Sequence, residues 1–409
     1  MQIAEREMTV AELRPGMFVS RLDRDWVGTP WLLQGFMIQG DEDLQALRQY
    51  CMRVTVDVDK SESFVRPVLL RPPRQDYVMP DLEAAKKGVP RPVVVSLEEE
   101  LPRAQAATDA AYSLTRDILD SLRAGDRLDN AQIEAAVQPV MGTILRNPDA
   151  YFWLEALRGR DGYAYTHAMG CCALMAAFGR HLGFPDEALS DLATGGLLMD
   201  IGKTQVAPAL LGREGPLSAE EAQEMRRHVA YSVALYDQME GASPIVRQIL
   251  QSHHERENGS GYPHGQAGDA IPLFGRLAGI VDSYDAMTSK RPFQAPVSRY
   301  EALQVMYRAR GELYQADLLE QFVQCLGAYP VGSLVELSTG EIGMVMAQNQ
   351  VRRLFPRVML LTDADKQLLK EFRSLDLRDT WAGPDPARIS IRKGVTPGSY
   401  GLDPKELYL

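Results

Sequence analysis

The sequence predicts a multidomain protein with a central all-α helical domain. A small α+β module precedes it and a small β-rich module follows it. Three observations carry this prediction. Apolar residues recur at helical spacing from about residue 103 to residue 328, with few strand signals. A proline-punctuated stretch, 67–102, separates that region from what comes before. Short alternating or β-branched runs replace the helical pattern in 329–409.

Taken in order, residues 1–66 alternate short β-rich runs (Met17–Ser20, Trp31–Leu33, Val54–Val58) with turn signals at Pro15-Gly16 and Gly40-Asp41. Between them, Leu44, Leu47 and Tyr50 mark a short helix over 41–50. Trp26, Trp31 and Phe36 are expected to pack in a core rather than line a groove. The helical domain opens with Ala106, Ala110, Leu114, Ile118 and Leu122 on one face. Asp129 reads as the N-cap of a helix over 131–145. Ser218 and Glu221 form a capping box for a helix running through Met225, Val229 and Val233. Further helices are expected at 164–182, 187–199, 244–254, 273–288, 298–309 and 315–327. In the last module Val335, Leu337, Ile342, Met344, Val358 and Leu360 mark strands around a turn at Thr339-Gly340. The tail from Ala382, with Pro384, Pro386, Pro397 and Gly398, is expected to be irregular.

Composition narrows the functions available. The chain has 409 residues, 44 Lys+Arg against 55 Asp+Glu, and a net charge of −11. That balance argues against DNA or an acidic lipid surface as a partner. No apolar run is long enough to span a membrane, and the N-terminus lacks a signal-peptide core. With only Cys51, Cys171, Cys172 and Cys325, a reduced, cytoplasmic setting is expected. Cys171 and Cys172 lie in an Ala-rich apolar stretch and read as buried packing groups rather than redox or metal groups.

Chemistry concentrates in the central domain. All six histidines (His167, His181, His228, His253, His254 and His264) fall within it, and imidazole is the commonest transition-metal ligand. Asp200 and Asp282 end strongly apolar segments, where a carboxylate needs a partner and a cation is a ready one. His181 reads as a charge at a helix C-terminus and His264 as exposed; His167 and His228, taken singly, decide nothing. Adjacent imidazoles on a helix point about 100° apart, so His253 and His254 reach one cation only near a helix end. Glu257-Asn258-Gly259-Ser260-Gly261 supplies that end. Asp285 reads equally as a helix-face carboxylate or a terminal charge.

In order and spacing, several segments together resemble the HD-GYP domain, a subset of the HD metal-dependent phosphohydrolases. They are His167, Asp200-Ile201-Gly202-Lys203, His228, His253-His254-Glu255, Gly261-Tyr262-Pro263 and Asp282-Ser283-Tyr284-Asp285-Ala286-Met287-Thr288-Ser289. The resemblance covers about 145–328. The segments Leu13–Ser20 and Leu33–Phe36 resemble the small domain of unknown function that often precedes it. The resemblance implies hydrolysis of cyclic di-GMP to linear pGpG at two divalent transition metals, iron or manganese. Asp200 would bridge both ions, His228, His253 and His254 would complete one, and His167 and Asp282 the other. Asp200 and Lys203 form the implied catalytic set. Lys203, Gly261, Tyr262, Pro263, Asp285 and Arg291 form the implied substrate-contacting set, with Lys290 adding to the local positive field. Diguanylate cyclase domains are the implied protein partner, and a homodimer is compatible with the N-terminal module.

The chain departs from the family pattern where the histidine of the His-Asp pair would stand: it has Met199. A thioether is a soft, weak ligand for iron(II) or manganese(II), so the His167/Asp282 ion is expected to be less fully occupied and activity reduced. Tyr163 stands where some members carry a glutamate for a third ion, and Gln294 where a basic residue is usual. Two functions follow: an active cyclic di-GMP phosphodiesterase with an altered second metal position, or an impaired domain that binds cyclic di-GMP or a cyclase partner as a signalling module. Another cyclic or linear nucleotide is a third candidate substrate.

Overall fold

The computed structural model describes residues 5–24, 35–51, 53–62, 91–157, 162–213, 215–239, 241–289, 296–349, 352–380 and 389–406. Trp26, Trp31, most of the proline-rich stretch (67–90), Lys290–Gln294, Pro384 and Pro386 lie outside these residues. The chain forms two compact units, 1–78 and 79–409.

In the first unit, β1 (Glu5–Thr9), β2 (Phe18–Leu22), β3 (Phe36–Met37) and β4 (Arg53–Asp57) form an antiparallel sheet in the order β1-β4-β2-β3. Helix α1 (Asp41–Tyr50) has the expected bounds. Met8, Met17, Val19, Ile38, Leu47, Val54 and Val56 form its core. Strand β1 was not anticipated, because in Glu5-Arg6-Glu7-Met8-Thr9 only Met8 is apolar and buried. It qualifies as a strand by pairing with β4. Phe36 packs against this core.

The second unit begins with α2 (Leu97–Ala124), which starts inside the stretch read as linker. The Ser96/Glu99 capping box supplies a start signal strong enough to carry Pro102 within the helix. The buried carboxylate of Glu100 then takes Arg146 in a bidentate pair (2.8 and 2.6 Å), tying α2 to the end of α3 (Asn130–Arg146). Asp129 caps α3 as read from the sequence, its side chain accepting from the Ala131 N–H. Then follow α4 (Pro148–Leu157), α5 (Tyr163–His181), α6 (Asp186–Leu198), α7 (Pro208–Leu211), α8 (Ala219–Arg226), α9 (His228–Tyr236), α10 (Pro244–Ser252), α11 (Leu273–Thr288), α12 (Arg299–Arg308) and α13 (Ala316–Leu326). The single helix expected after Ser218 is two helices, interrupted at Arg227. There the His228 Nδ1 engages the Met225 carbonyl at 2.6 Å, diverting a main-chain acceptor to a side chain.

Helix α5 is the centre of the bundle, buried continuously from His167 to Arg180. A helix apolar around its whole circumference belongs in the middle of a core. Cys171 and Cys172 are fully buried on it, and burial pushes both thiols up to about 12, so they act as packing groups.

The C-terminal strands β5 (Leu334–Leu337), β6 (Ile342–Ala347), β7 (Arg357–Thr362), β8 (Leu368–Asp376) and β9 (Ile391–Val395) form an antiparallel sheet in the order β8-β7-β6-β5-β9. Its inner face shares one core with Leu97, Ala104, Ala150 and Trp153 of the helices. The tail is therefore not irregular throughout: Ile391–Val395 pairs with β5. Its charged Ile-Arg-Lys-Gly-Val sequence conceals a strand at the edge of the sheet, where charge is an ordinary guard. Among the described residues no helix is long and apolar enough to cross a membrane.

Candidate metal centre

Four pieces of chain meet beside α5. His167 lies in the second turn of α5. Asp200 caps a 3₁₀ turn, Ile201–Gln205, that follows α6; His228 opens α9; and His253 and His254 follow the last residue of α10. Asp282 and Asp285 come from α11. The turn after α6 sits directly on α9. A Cβ on Gly202 would lie 2.0 Å from the His228 carbonyl oxygen, so no larger residue fits. Ser232 clamps the same turn: its Oγ accepts from the Gly202 N–H (2.8 Å) and donates to the Met199 carbonyl (3.0 Å).

The ligand-type atoms fall into two groups sharing Asp200. One atom each from Asp200, His228, His253 and His254 lie within 4.8 Å of one another, as do atoms from His167, Asp200 and Asp282. Asp200 Oδ1 is 3.2 Å from His228 Nε2 and 3.7 Å from His253 Nε2; its Oδ2 is 3.3 Å from His167 Nε2. Asp282 Oδ1 is also 3.3 Å from His167 Nε2, and its Oδ2 lies 3.6 Å from His254 Nδ1.

The proton arrangement fits cations. His228 Nδ1 faces the Met225 carbonyl (2.6 Å), and His253 Nδ1 faces the Leu250 carbonyl (3.0 Å). Each Nδ1 therefore carries the hydrogen and leaves an Nε2 lone pair pointing into the site. Asp200 Oδ1 and His253 Nε2 are buried without a hydrogen-bond partner, and such orphans call for an explanation such as an ion. His228 Nε2 and His254 Nε2 face each other at 3.2 Å. Burial, with the neighbouring imidazoles His253 and His228, holds His254 well below the usual imidazole range. Burial pushes Asp200 upward, but Lys203 and the imidazoles His167, His228 and His253 override it and hold the carboxyl well below the carboxylate range. Burial opposes the Asp282 charge likewise, and His167 and His254 hold that group down.

Helix α11 grips both nitrogens of His167. Asp282 faces Nε2, and Asp285, three residues on along the same face, takes Nδ1 at 2.6 Å. Asp285, expected from the resemblance to touch a ligand, is buried behind this imidazole and accepts from the Ser289 hydroxyl (3.1 Å), an arrangement that orients the ring. His167, Cys171 and Asp285 also cluster, but the imidazole already occupies that carboxylate and the thiol is held protonated. Tyr163 stacks on His167 with centroids 5.3 Å apart.

Lys203 pairs with Asp200 through Oδ2. Gly261-Tyr262-Pro263 lies beside the histidines, with the Tyr262 ring stacked on His254 at 4.5 Å and under Arg226 at 5.1 Å. Sequence reading missed what holds this loop: the buried Glu255 carboxylate accepts from the His264 N–H (2.8 Å) and the Gln266 N–H (2.9 Å). The only hint was its place directly after the histidine pair. His181 is not a terminal charge: burial lowers its pKa, and its Nε2 meets Gln321 Oε1 at 2.9 Å. His264 is exposed. Met199 is fully buried at the end of α6. Arg291 lies outside the described residues.

A family model described as an HD domain matches residues 153–318, and one for a domain of unknown function, DUF3391, matches residues 5–133. A cyclic di-GMP phosphodiesterase of Pseudomonas aeruginosa is 31% identical over 410 residues, covering 98% of this chain and 93% of that protein. A 3'3'-cGAMP-specific phosphodiesterase of Vibrio cholerae is 30% identical over 175 residues, 42% of this chain and 34% of its own length. Among solved structures, an HDG"Y"P protein of Bdellovibrio bacteriovorus matches at a TM-score of 0.45 and 14% identity, covering 78% of this chain and 98% of that one.

Proposed function

Since this chain belongs to the HD-GYP family of HD-domain, metal-dependent phosphohydrolases, we propose that it is a cyclic di-GMP phosphodiesterase that opens the cyclic dinucleotide to linear pGpG. The observation that carries the reading is the position of Asp200 between two donor sets, one oxygen toward His228 and His253 and the other toward His167. A carboxylate with both oxygens so disposed suits a pair of cations. The end-to-end relative from Pseudomonas aeruginosa, named for this activity, supports the substrate. The donors are imidazoles and carboxylates without a thiolate, which suits iron or manganese.

When bound, two such ions offset the phosphodiester's negative charge and lower the pKa of water toward neutrality. His228, His253 and His254 would hold one ion, His167 and Asp282 the other, with Asp200 common to both. Asp285 keeps His167 in the tautomer that presents Nε2. Lys203 is tied to Asp200 in this structure. With Asp200 engaged by cations, Lys203 would be placed to contact a phosphate oxygen and to donate a proton to the leaving sugar oxygen. Tyr262, fixed over His254, walls the site from water on the loop side, and Gly261 and Pro263 shape the backbone next to the ligand. By the family resemblance, Arg291, outside the described residues, would pair with the ligand's phosphate or guanine.

Met199 favours a second reading. It offers no imidazole to the His167/Asp282 position, so the domain would bind cyclic di-GMP, or a diguanylate cyclase domain, without hydrolysis. The test is direct. Protein loaded with manganese or iron is incubated with cyclic di-GMP and, separately, 3'3'-cGAMP, and products are separated by chromatography. Linear pGpG, absent with Asp200→Ala, is expected. Binding without product under iron, manganese and zinc would establish the second reading instead. Product from 3'3'-cGAMP alone would reassign the substrate.

A further inference from the structure

The break between α8 and α9 sends two adjacent arginines in different directions. Arg226 ends α8 and His228 opens α9. Arg227, between them, pairs with Glu224 at 2.9 Å and lies over the Tyr231 ring at 5.3 Å. Arg226 turns instead toward the metal centre. Its Cζ lies 5.1 Å from the centroid of the Tyr262 ring. That ring is stacked on His254 at 4.5 Å and is edge-on to His228 at 6.4 Å. The guanidinium is thus fixed on the aromatic wall of the two imidazoles.

The charge on Arg226 is not spent. The residue is exposed, and among the described residues it has no carboxylate partner and donates no hydrogen bond. The acids of its own helix are taken. Glu220 accepts from the Ser218 hydroxyl (2.9 Å), Glu221 accepts from the Ser218 N–H (2.8 Å) and pairs with Arg213, and Glu224 holds Arg227. Glu255 is occupied by the His264 and Gln266 N–H groups. Arg256, which follows the histidine pair, is by contrast consumed by the His253 and Glu255 carbonyls at 3.0 and 2.8 Å. Contact with a ring face therefore positions the Arg226 guanidinium while its forked donors stay available, a geometry matched to a phosphate.

A cyclic dinucleotide carries two phosphodiesters. The metal centre and Lys203 serve the one that is cleaved. The other brings a second negative charge to a protein of net charge −11 and needs a cation of its own. We propose that Arg226 is a substrate-binding residue that takes this second, uncleaved phosphate. The proposal rests on the cyclic dinucleotide reading above and adds to it the group that tells a ring with two phosphates from a simple phosphodiester.

The test uses the manganese-loaded full chain and two substrates: cyclic di-GMP, and bis(p-nitrophenyl) phosphate, which has a single phosphodiester. Arg226→Gln should raise KM for cyclic di-GMP tenfold or more while kcat changes less than threefold. The ratio of kcat/KM for cyclic di-GMP to that for bis(p-nitrophenyl) phosphate should fall by a similar factor. Arg226→Lys, which keeps the charge, should recover most of the loss. Arg226 is exposed at a helix end, so neither variant disturbs the core. A ratio left at the wild-type value by Arg226→Gln overturns this proposal alone, because a residue that only braces Tyr262 would act on both substrates alike. If the wild type binds cyclic di-GMP without opening it, the calorimetric Kd replaces KM. The same tenfold loss is then expected, and an unchanged Kd overturns the proposal. A wild type that neither binds nor opens cyclic di-GMP overturns the substrate reading, and this proposal with it.

Discussion

Replacing Gly170 with alanine should disarm one half of the metal centre without touching a ligand. A Cβ at this position would lie 2.1 Å from Asp285 Oδ1 and 3.0 Å from its Cγ. Comfortable non-bonded separations are about 3.5–4.0 Å, so the carboxylate must retreat by about 1 Å or more. The oxygen bonded to His167 Nδ1 at 2.6 Å is Oδ2, 3.5 Å from that Cβ, but the 3.0 Å approach to Cγ moves the whole carboxylate and so stretches or bends this contact. Loss of such a supporting partner typically costs about 10–100-fold in metal affinity, or roughly 1.4–2.8 kcal/mol. The alanine itself favours the helix by about 1 kcal/mol, which works against unfolding as the explanation. Calorimetric titration of chelator-stripped protein with manganese should show the His167/Asp282 position weakened by that factor and the His228/His253/His254 position unchanged. Asp285→Asn, which retains an acceptor but drops the charge, should fall between the two. Equal affinity of Gly170→Ala and wild type at both positions would refute the reasoning, because Asp285 would then have no hold on the metal through His167.

Met199→His restores an imidazole to the His167/Asp282 position, so metal content should rise toward two equivalents and turnover with it; unchanged stoichiometry would show that residue 199 does not reach the ion. Glu255→Ala removes two charge-assisted hydrogen bonds to the Gly-Tyr-Pro loop, worth about 1.5–3 kcal/mol each, and should raise KM for cyclic di-GMP at least tenfold while metal content stays constant. Asp149→Asn is a pH prediction. The native carboxyl titrates near 7 against an ordinary value of 3.8, so the folded protein holds a proton that the unfolded chain has lost. The carboxyl therefore costs stability increasingly as pH rises from about 4 to 7. The melting advantage of the asparagine variant should grow over that interval and level off above it; a constant difference would show that Asp149 is not perturbed.

The extent to which these features can be read from sequence follows from the range of each signal. Local signals translated directly: the Ser218/Glu221 box opens α8, Asp129 caps α3, and the α11 bounds 273–288 agree with its apolar periodicity. The adjacency of His253 and His254 required a helix end, and α10 stops at Ser252. The resemblance in motif order implied that Asp200 and three histidines form one group, and one atom from each does lie within 4.8 Å of the others. The contact of Asp285 with His167 was not legible because spacing from Asp282 gives a direction along α11 but not a partner, and His167 is 118 residues away. Glu255 was overlooked for a related reason, since its partners are main-chain N–H groups that no residue type announces. In strands β8 and β9 the exposed residues are largely charged (Lys370, Glu371, Arg373, Arg392 and Lys393), and their pairing is set by neighbours rather than by their own pattern. Pro102 suggested a boundary, yet the capping box before it prevailed.

The central claim is that Asp200 and the surrounding histidines grip divalent cations. Elemental analysis of the full chain purified without added metal, beside Asp200→Ala purified in parallel, tests it most directly. The account predicts between one and two equivalents of iron or manganese in the wild type and almost none in the variant. Wild-type protein free of transition metal even after reconstitution, or a variant that retains the wild-type content, would contradict it.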